Sequence, residues 1–233
     1  MTVLVTGFPA GAFAANCYLV APAPGEECVI IDPGQDAQRG IEELLDRYRL
    51  KPIAVLITHG HVDHTWSVAP VCDAKGVPAY IHPDDREMLA DPAKGMSLMA
   101  KQQFLAGMTF SEPDDVKPLT DGAVVRLAGL DFTIGHTPGH TPGSVTFRRA
   151  SENTGGADDL DALFTGDLLF AGSIGRTDLP GGDHETILNS LARTLTLPDA
   201  TVVLPGHGPT TTIGDERDTN PFLTGMKPAQ KGM

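Results

Sequence analysis

Four side chains that can bind a metal ion lie within six consecutive positions of this sequence. They are His59, His61, Asp63 and His64, in the stretch VLITHGHVDHT that includes the end of an apolar run. If the chain stays extended through His59 and His61, the two-residue period of a strand directs both imidazoles to the same side. A helix that begins near Asp63 would direct Asp63 and His64 towards a second position. The stretch therefore predicts two neighbouring metal sites, each with two ligands.

Four ligands do not complete two metal sites, so further ligands are expected elsewhere in the chain. Three more segments place histidine or aspartate in a glycine-containing loop after an apolar run: GHTPGHTPGS (135–144) with His136 and His140, FTGDLLF (164–170) with Asp167, and LPGHGP (204–209) with His207. Strand ends of α/β sheets meet at one edge, where such proteins place their chemistry. A lone histidine after a strand is usually a hydrogen-bonded structural residue, so the prediction depends on all four motifs occurring together.

The chain is acidic, with 17 basic and 30 acidic residues among 233 and a formal net charge of −13. Nucleic-acid binding depends on clustered Lys and Arg, and the longest basic run is FRRA, so nucleic acid is not an expected partner. No segment reaches the ~20 apolar residues that span a bilayer, and the N-terminus lacks the basic start of a secretory signal. We expect a cytoplasmic protein without a membrane partner. No pattern predicts its oligomeric state.

Short apolar segments alternate with turn residues, and they have the length of strands. They lie at 2–5, 17–20, 28–32, 53–58, 78–82, 124–127, 130–136, 144–149, 162–166 and 201–206. Helical spacing of apolar residues occurs at 36–50 and 184–195. This order is too uneven for one doubly wound sheet and favours an α/β protein with two mixed sheets and outer helices. We expect one domain at 1–223 and a mobile tail at 224–233.

The motifs HxHxDH, GH[ST]xG, FTGD and PGHG, in that order, resemble those of the metallo-β-lactamase superfamily from about residue 14 to residue 223. Two segments, GSIGRTDLPGGD (172–183) and PGHGPTTTIGDERDTNPFL (205–223), resemble the glyoxalase II-like, or hydroxyacylglutathione hydrolase-like, group and especially its short single-domain bacterial members. The resemblance implies an αββα sandwich of two mixed sheets with outer helices, which agrees with the order of elements above.

The resemblance also implies a role for each ligand. His59, His61 and His140 would bind a first metal ion, Asp63, His64 and His207 would bind a second, and Asp167 would bridge both. None of these seven residues is Cys, unlike the pattern of many true β-lactamases, which counts against antibiotic hydrolysis. Imidazole and carboxylate ligands suit Zn²⁺, Fe and Mn. Zinc is the favoured metal, with Fe or Mn as alternatives.

Two divalent ions, the carboxylates of Asp63 and Asp167 and a bridging hydroxide would together carry about +1, which suits the oxyanion of a tetrahedral intermediate. We expect hydrolysis of a thioester such as S-lactoylglutathione, or a related S-acyl thiol, by metal-bound hydroxide that Asp63 helps to orient. The leaving thiolate needs no proton donor. Full-length glyoxalase II enzymes hold glutathione with basic residues of a C-terminal helical domain, whereas this chain continues for about 25 residues after His207, so the thiol half stays open.

Other functions of the same superfamily remain alternatives. A persulfide dioxygenase with one iron shares HxHxDH, the later His and Asp and a GRTD-like loop. The segment LPGHGP favours the hydrolase, because the dioxygenases are associated with PAHDY-like segments. A lactonase would use the same ligands on a cyclic ester. A metal-binding protein without turnover is disfavoured because all seven ligand positions are filled.

Several residues have weaker claims. Arg176 and Asp178, in GRTDLPGG, are candidates either for substrate contact or for an ion pair that stiffens their loop. His136 is a candidate either for supporting a ligand or for a plain strand-end residue. The Met-rich segment 95–110 fits either a flexible apolar lid or an amphipathic helix packed on the core.

Overall fold

Two six-stranded sheets pack face to face, with helices on both outer surfaces. A computed structural model provides the coordinates, and it describes residues 3–105, 107–150 and 161–223. The expected αββα sandwich of two mixed sheets is confirmed. No helix in these three ranges is long and apolar enough to cross a membrane.

The first sheet contains the strands of the N-terminal half in sequential order. They are β1 (Leu4–Ala10), β2 (Ala15–Ala21), β3 (Glu27–Ile31), β4 (Lys51–Leu56), β5 (Ala79–Ile81) and β6 (Val116–Pro118). The strands β1, β2 and β3 are antiparallel neighbours, whereas β3, β4, β5 and β6 run parallel. The carboxyl ends of β3 and β4 therefore lie side by side at one edge.

The second sheet has the order β14-β13-β10-β9-β8-β7. Its strands are β7 (Val124–Leu127), β8 (Leu130–His136), β9 (Val145–Arg149), β10 (Ala162–Gly166), β13 (Val202–Pro205) and β14 (Thr211–Thr212), and a separate small hairpin contains β11 (Leu169–Phe170) and β12 (Ser173–Ile174). The pair β10 and β13 is parallel, and the other neighbours are antiparallel.

Along the chain, the helices are interspersed with these strands, and α7 follows the last strand. They are α1 (Ala37–Tyr48), α2 (Val62–Thr65), α3 (Val68–Lys75), α4 (Glu87–Ala90), α5 (Leu98–Phe104), α6 (His184–Thr194) and α7 (Ile213–Thr219), with 3-10 turns at Pro83–Asp85 and Pro92–Gly95. Helix α6 begins where the Asp183 side chain accepts a hydrogen bond from the Thr186 amide at 2.7 Å, a common N-terminal cap. Both helices that the sequence predicts, at 36–50 and 184–195, are present as α1 and α6.

Alternate side chains of the central strands pack into different apolar layers. In β2, Leu19 packs with the helices on the outside of the first sheet, whereas Val20 packs between the two sheets. In β10, Phe164 lies between the sheets and Leu163 packs against α6 and its neighbours. Because both faces of these strands are buried, their sequences are continuously apolar instead of alternating.

The structure also differs from the sequence-based expectations. Strand β1 continues to Ala10, well beyond the expected 2–5, and β6, β14 and α7 were not expected. In the described part of the Met-rich segment, α5 begins at Leu98, and its Leu98 and Met99 are 73% and 78% exposed, so these two apolar side chains do not pack on the core. The tail expected at 224–233 lies outside the described residues.

Candidate metal centre

The HxHxDH segment follows β4, the buried strand beside β3. His59 and His61 lie in the extended link after β4, and the backbone of His61 forms the start of α2. The carbonyl of His61 accepts hydrogen bonds from the amides of His64 at 3.0 Å and Thr65 at 3.1 Å, which turns the chain into the helix. The rings of His59 and His61 therefore lie together, with centroids 4.9 Å apart, while α2 carries Asp63 and His64.

The first group of candidate ligands is formed by His59, His61 and His140. One nitrogen atom from each lies within 4.8 Å of the others, and all three side chains are buried. Nδ1 of His61 and Nε2 of His140 are only 2.8 Å apart. The loop after β8 brings His140 to this position, as the sequence predicts.

The second group is formed by Asp63, His64 and His207, whose ligand atoms also lie within 4.8 Å of one another. Nε2 of His207 is 3.3 Å from Nε2 of His64 and 3.2 Å from Oδ2 of Asp63. His207 follows β13, so the second sheet supplies this ligand and the first sheet supplies the other two.

Asp167 lies between the two groups. Its Oδ1 is 3.3 Å from Nε2 of His64, and its Oδ2 is 3.5 Å from Nε2 of His140 and 3.7 Å from Nε2 of His207. The structure thus brings together all seven side chains that the sequence singles out as ligands.

The arrangement of the donor atoms suits metal binding better than hydrogen bonding among these side chains. The buried Nε2 atoms of His59 and His61 have no hydrogen-bond partner in the described part of the chain. Buried polar atoms are normally paired, because an unpaired one loses its interaction with water. Imidazole nitrogens and carboxylate oxygens are the donors that bind divalent zinc, iron and manganese.

The protonation of the histidines also suits metal binding. Burial, with the nearby His64 and His140, holds the pKa of His59 well below its usual value. Burial and His140 lower the pKa of His61 to about 3. Burial opposes protonation of His64 too, but the carboxylates of Asp167 and Asp63 outweigh it and raise its pKa. Neutral imidazoles present lone pairs to a metal ion, and a cation beside the carboxylates would replace the proton on His64.

A buried carboxylate that the sequence analysis missed orients the ligands. Asp32 follows β3 and accepts hydrogen bonds from the Thr58 amide at 2.8 Å and the Thr58 hydroxyl at 2.6 Å. Its Oδ2 is also 3.0 Å from Nδ1 of His64. This contact places the proton of His64 on Nδ1 and leaves Nε2 free to face the second group. Asp32 follows a strand parallel to β4, so the same strand-end argument could have found it.

A second buried carboxylate, Asp85, was also missed. It accepts hydrogen bonds from the Gly60 amide at 2.8 Å, the Gly143 amide at 2.7 Å and the Thr141 hydroxyl at 2.6 Å. Gly60 lies between two candidate ligands, and Thr141 follows His140. Asp85 therefore fastens together the two loops that form the first group. No spacing pattern in the sequence signals such a role.

Two glycines permit the close packing around the ligands. A Cβ atom on Gly206 would lie 2.3 Å from Oδ1 of Asp167 and 2.7 Å from Cε1 of His64. A Cβ atom on Gly60 would lie 2.6 Å from Cε of Met88 and 2.9 Å from the Asp85 carbonyl oxygen. Any side chain at these positions would move the ligands or their supports.

An open cleft of about 600 Å³ borders the candidate ligands, a size that accommodates a small organic molecule. His61, Asp63, His140, Asp167 and His207 line part of it. The apolar part of its lining consists of Phe13, Val62, Met96, Ala100, Phe170, Ile174 and Leu179. Met96 and Ala100 belong to the Met-rich segment, which thus borders the cleft.

The residues with weaker claims separate into two kinds. Arg176 and Asp178 line the cleft and form an ion pair with each other, so the expected ion pair is present and substrate contact stays a prediction. His136 is absent from the described lining of the cleft and from both ligand groups. Its Nε2 is 2.8 Å from the carbonyl oxygen of Pro142, and its ring stacks on His82 with centroids 4.1 Å apart.

A family model described as the metallo-beta-lactamase superfamily matches residues 10–207. The chain therefore belongs to the metallo-β-lactamase superfamily, a superfamily of metallo-hydrolases. The two packed mixed sheets with outer helices agree with this membership.

Three known proteins show the range of its relatives. The hydroxyacylglutathione hydrolase GloC of Haemophilus influenzae is 36% identical over 220 residues, which are 92% of this chain and 95% of GloC. The crystal structure of BLEG-1, a B3 metallo-beta-lactamase, is 39% identical with a TM-score of 0.80, covering 95% of this chain and 100% of BLEG-1. The di-iron-bound structure of TTHA1623 is 42% identical with a TM-score of 0.72, covering 91% of this chain and 97% of TTHA1623.

Proposed function

We propose that this chain is a dinuclear metal-dependent hydrolase that cleaves thioesters such as S-lactoylglutathione or related S-acyl thiols. One ion would be held by the first group, His59, His61 and His140, and the other by the second group, Asp63, His64 and His207, with Asp167 shared between them.

The position of Asp167 carries this proposal. Its Oδ2 faces His140 of the first group and His207 of the second, and its Oδ1 faces His64 of the second group. A carboxylate with this arrangement suits a pair of ions better than a single one. Two ions that share a carboxylate are typical of hydrolytic dinuclear centres.

Bound divalent ions would supply an activated water at neutral pH and would polarise the substrate carbonyl. The chain's own residues supply orientation and charge. Asp63, 22% exposed and 3.2 Å from His207, borders the cleft and can accept a hydrogen bond from the attacking water. Asp32 keeps the proton of His64 on the nitrogen that faces away from the second group.

A thioester suits this site because a thiolate leaves without a proton donor. Burial raises the pKa of Asp63, but the neighbouring histidines lower it by more. The pKa of Asp63 therefore lies below its usual value. Asp63 is therefore a carboxylate, not an acid that could protonate a poor leaving group. The similarity to GloC also supports an S-acyl substrate.

Zinc is our favoured metal, with iron and manganese as alternatives. The ligands are six groups of borderline or hard character and one shared carboxylate, without a thiolate that would select strongly for zinc. The similarity to the di-iron form of TTHA1623 makes iron the first alternative.

Hydrolysis of β-lactams is the second candidate function. The absence of Cys among the seven candidate ligands counts against this function. However, BLEG-1, which is 39% identical to this chain, is a B3 metallo-beta-lactamase. A chromogenic cephalosporin therefore belongs in the same set of assays as the thioester.

The decisive experiment measures metal content and activity on one sample. The protein is purified without added metal, its metals are quantified by mass spectrometry, and hydrolysis of S-lactoylglutathione and of an uncharged thioester is assayed. We expect about two ions per chain and thioester turnover. His207→Ala should reduce the content to about one ion and abolish most turnover.

His184→Ala is the matched control, because the exposed His184 belongs to none of the side-chain groups that could hold a metal ion in the described part of the chain and should leave the metal content unchanged. One iron per chain, with oxygen uptake on glutathione persulfide and no thioester cleavage, would replace the hydrolase with a persulfide dioxygenase. Cleavage of the cephalosporin alone would replace it with a β-lactamase, and cleavage of a lactone alone with a lactonase. Two ions without any turnover would indicate a metal-binding protein.

A further inference from the structure

The charge distribution of the cleft differs from that of a site built for an anionic ligand. Apart from the histidines of the two ligand groups, Arg176 is the one cationic side chain among the described residues that line the cleft. Sites for carboxylates and phosphates normally present unpaired arginine or lysine. The rest of the lining is mainly apolar, with Met96 and Phe170 among its larger side chains.

Arg176 is already engaged by a carboxylate of the same loop. Its Nε donates a 2.7 Å hydrogen bond to Oδ1 of Asp178, and its Nη2 donates a 2.7 Å hydrogen bond to Oδ2. This is the two-bond geometry with which arginine recognises a carboxylate ligand. The pair therefore presents no net charge to the cleft, and a ligand carboxylate placed against Arg176 would also lie beside Asp178.

The backbone of this loop is tied to the candidate metal centre. Nδ1 of His140 is 2.7 Å from the carbonyl oxygen of Arg176. The backbone that carries the ion pair is thus tied to the first ligand group, and the pair borders the same cleft as that group.

We propose that the site selects thioesters of thiols without net negative charge, and that Asp178 determines this specificity by neutralising Arg176. The inference rests on the proposed thioester hydrolysis and assigns the class of its thiol half. The net charge of −13 acts in the same direction, because it disfavours the approach of anionic substrates. Glutathione carries two carboxylates and one ammonium group, so we expect S-lactoylglutathione to be cleaved with a lower kcat/KM than the thioester of an uncharged thiol.

The test compares two thiols that differ by one carboxylate, N-acetylcysteamine and N-acetylcysteine, each carrying the same lactoyl group. The assay uses the metal-loaded protein and measures kcat/KM at low and high salt. We expect about tenfold higher kcat/KM for the N-acetylcysteamine thioester. The difference should become smaller at high salt, since screening weakens charge repulsion.

Asp178→Asn should release Arg176 and raise severalfold the ratio of kcat/KM for the N-acetylcysteine thioester to kcat/KM for the N-acetylcysteamine thioester. Asp131→Asn is the matched control. It breaks a similar exposed pair, in which Asp131 accepts 2.7 and 3.2 Å hydrogen bonds from Arg126, in the β7–β8 hairpin. The control should leave the ratio of the two substrates unchanged.

Binding of the S-methyl thioethers of the same two thiols, measured by calorimetry, separates this inference from the proposed function. If no thioester is cleaved, the proposed function fails, and the order of the two thioether affinities still decides the charge preference. Equal or better use of the N-acetylcysteine compounds by the unaltered protein overturns the inference alone. A substrate ratio that Asp178→Asn leaves unchanged overturns the role of Asp178.

Discussion

Asp85 and Thr141 are joined by a 2.6 Å hydrogen bond although 56 positions separate them in the chain. Asp85 lies in a 3-10 turn after β5, whereas Thr141 follows His140 in the second half of the chain. With the bonds from the Gly60 and Gly143 amides, this contact joins the loops of both halves around the first ligand group. The geometry of that group therefore depends on a carboxylate that touches none of the ligands' rings.

Asp85→Asn should weaken both the fold and the metal site. An amide offers only one acceptor oxygen, so an amide N–H of Gly60 or Gly143 would face another N–H. We expect a loss of about 1–3 kcal/mol in the free energy of unfolding and about 10–100-fold weaker binding of the first ion. Urea unfolding and competition with a chromophoric chelator measure the two effects. The control Asp84→Asn, at the exposed neighbouring position, should change neither the free energy of unfolding nor the affinity for the first ion. If Asp85→Asn and Asp84→Asn gave the same values, Asp85 would not have this role.

Asp32→Asn should weaken the second ion through the tautomer of His64. The new amide group would replace Oδ2, which now lies 3.0 Å from Nδ1 of His64. An amide donor there moves the ring proton to Nε2, the nitrogen that faces the second group, so that affinity should fall about 10–100-fold. Chelator competition on Asp32→Asn and on the exposed control Asp36→Asn measures this. Unchanged affinity for the second ion would show that the tautomer is fixed by other contacts.

Gly206→Ala should disturb metal binding more than stability. Its Cβ would lie 2.3 Å from Oδ1 of Asp167, so the carboxylate of Asp167 must move. We expect loss of one ion per chain while the far-ultraviolet circular dichroism spectrum stays unchanged. Gly208→Ala is a suitable control, because no other atom lies within 4 Å of its Cβ and only its positive φ of +78° opposes the change. Two retained ions in Gly206→Ala would indicate that Asp167 is not shared.

Removal of metal should lower the thermal stability of the whole chain. The two groups join loops from both sheets, and ions that bind only the folded state stabilise it by mass action. At a free metal concentration about 1,000 times Kd this stabilisation is about 4 kcal/mol. The melting temperature should fall by roughly 8–16 °C after chelation and recover when metal is restored. An unchanged melting temperature would mean that the chain does not bind metal tightly.

The candidate ligands could be predicted from sequence because residue type and spacing both point to metal binding. His59, His61, Asp63 and His64 are close in the chain, and each later candidate lies in a glycine-containing loop after an apolar strand. The two-layer fold was also predictable, because buried strands are continuously apolar. In both cases the signal is local, so it is visible without the structure.

The supports of the site were not predictable in the same way. Asp85 acts only because the loops of Gly60 and Gly143 meet at its carboxylate, and the two adjacent aspartates in HPDDREML have no distinguishing spacing. The pairing of Arg176 with Asp178 was one of two open readings, and the side-chain geometry was needed to show that it occurs within the cleft. Short elements such as β14 were missed because their few residues depend on tertiary pairing.

The contact between His140 and position 176 uses the backbone carbonyl of that position. Every amino acid supplies this carbonyl, so a change of side chain at position 176 leaves the acceptor for His140 in place. The side chain at the same position borders the cleft. Substrate preference can therefore vary at this position independently of ligand orientation, which makes it a natural starting point for redesigning specificity.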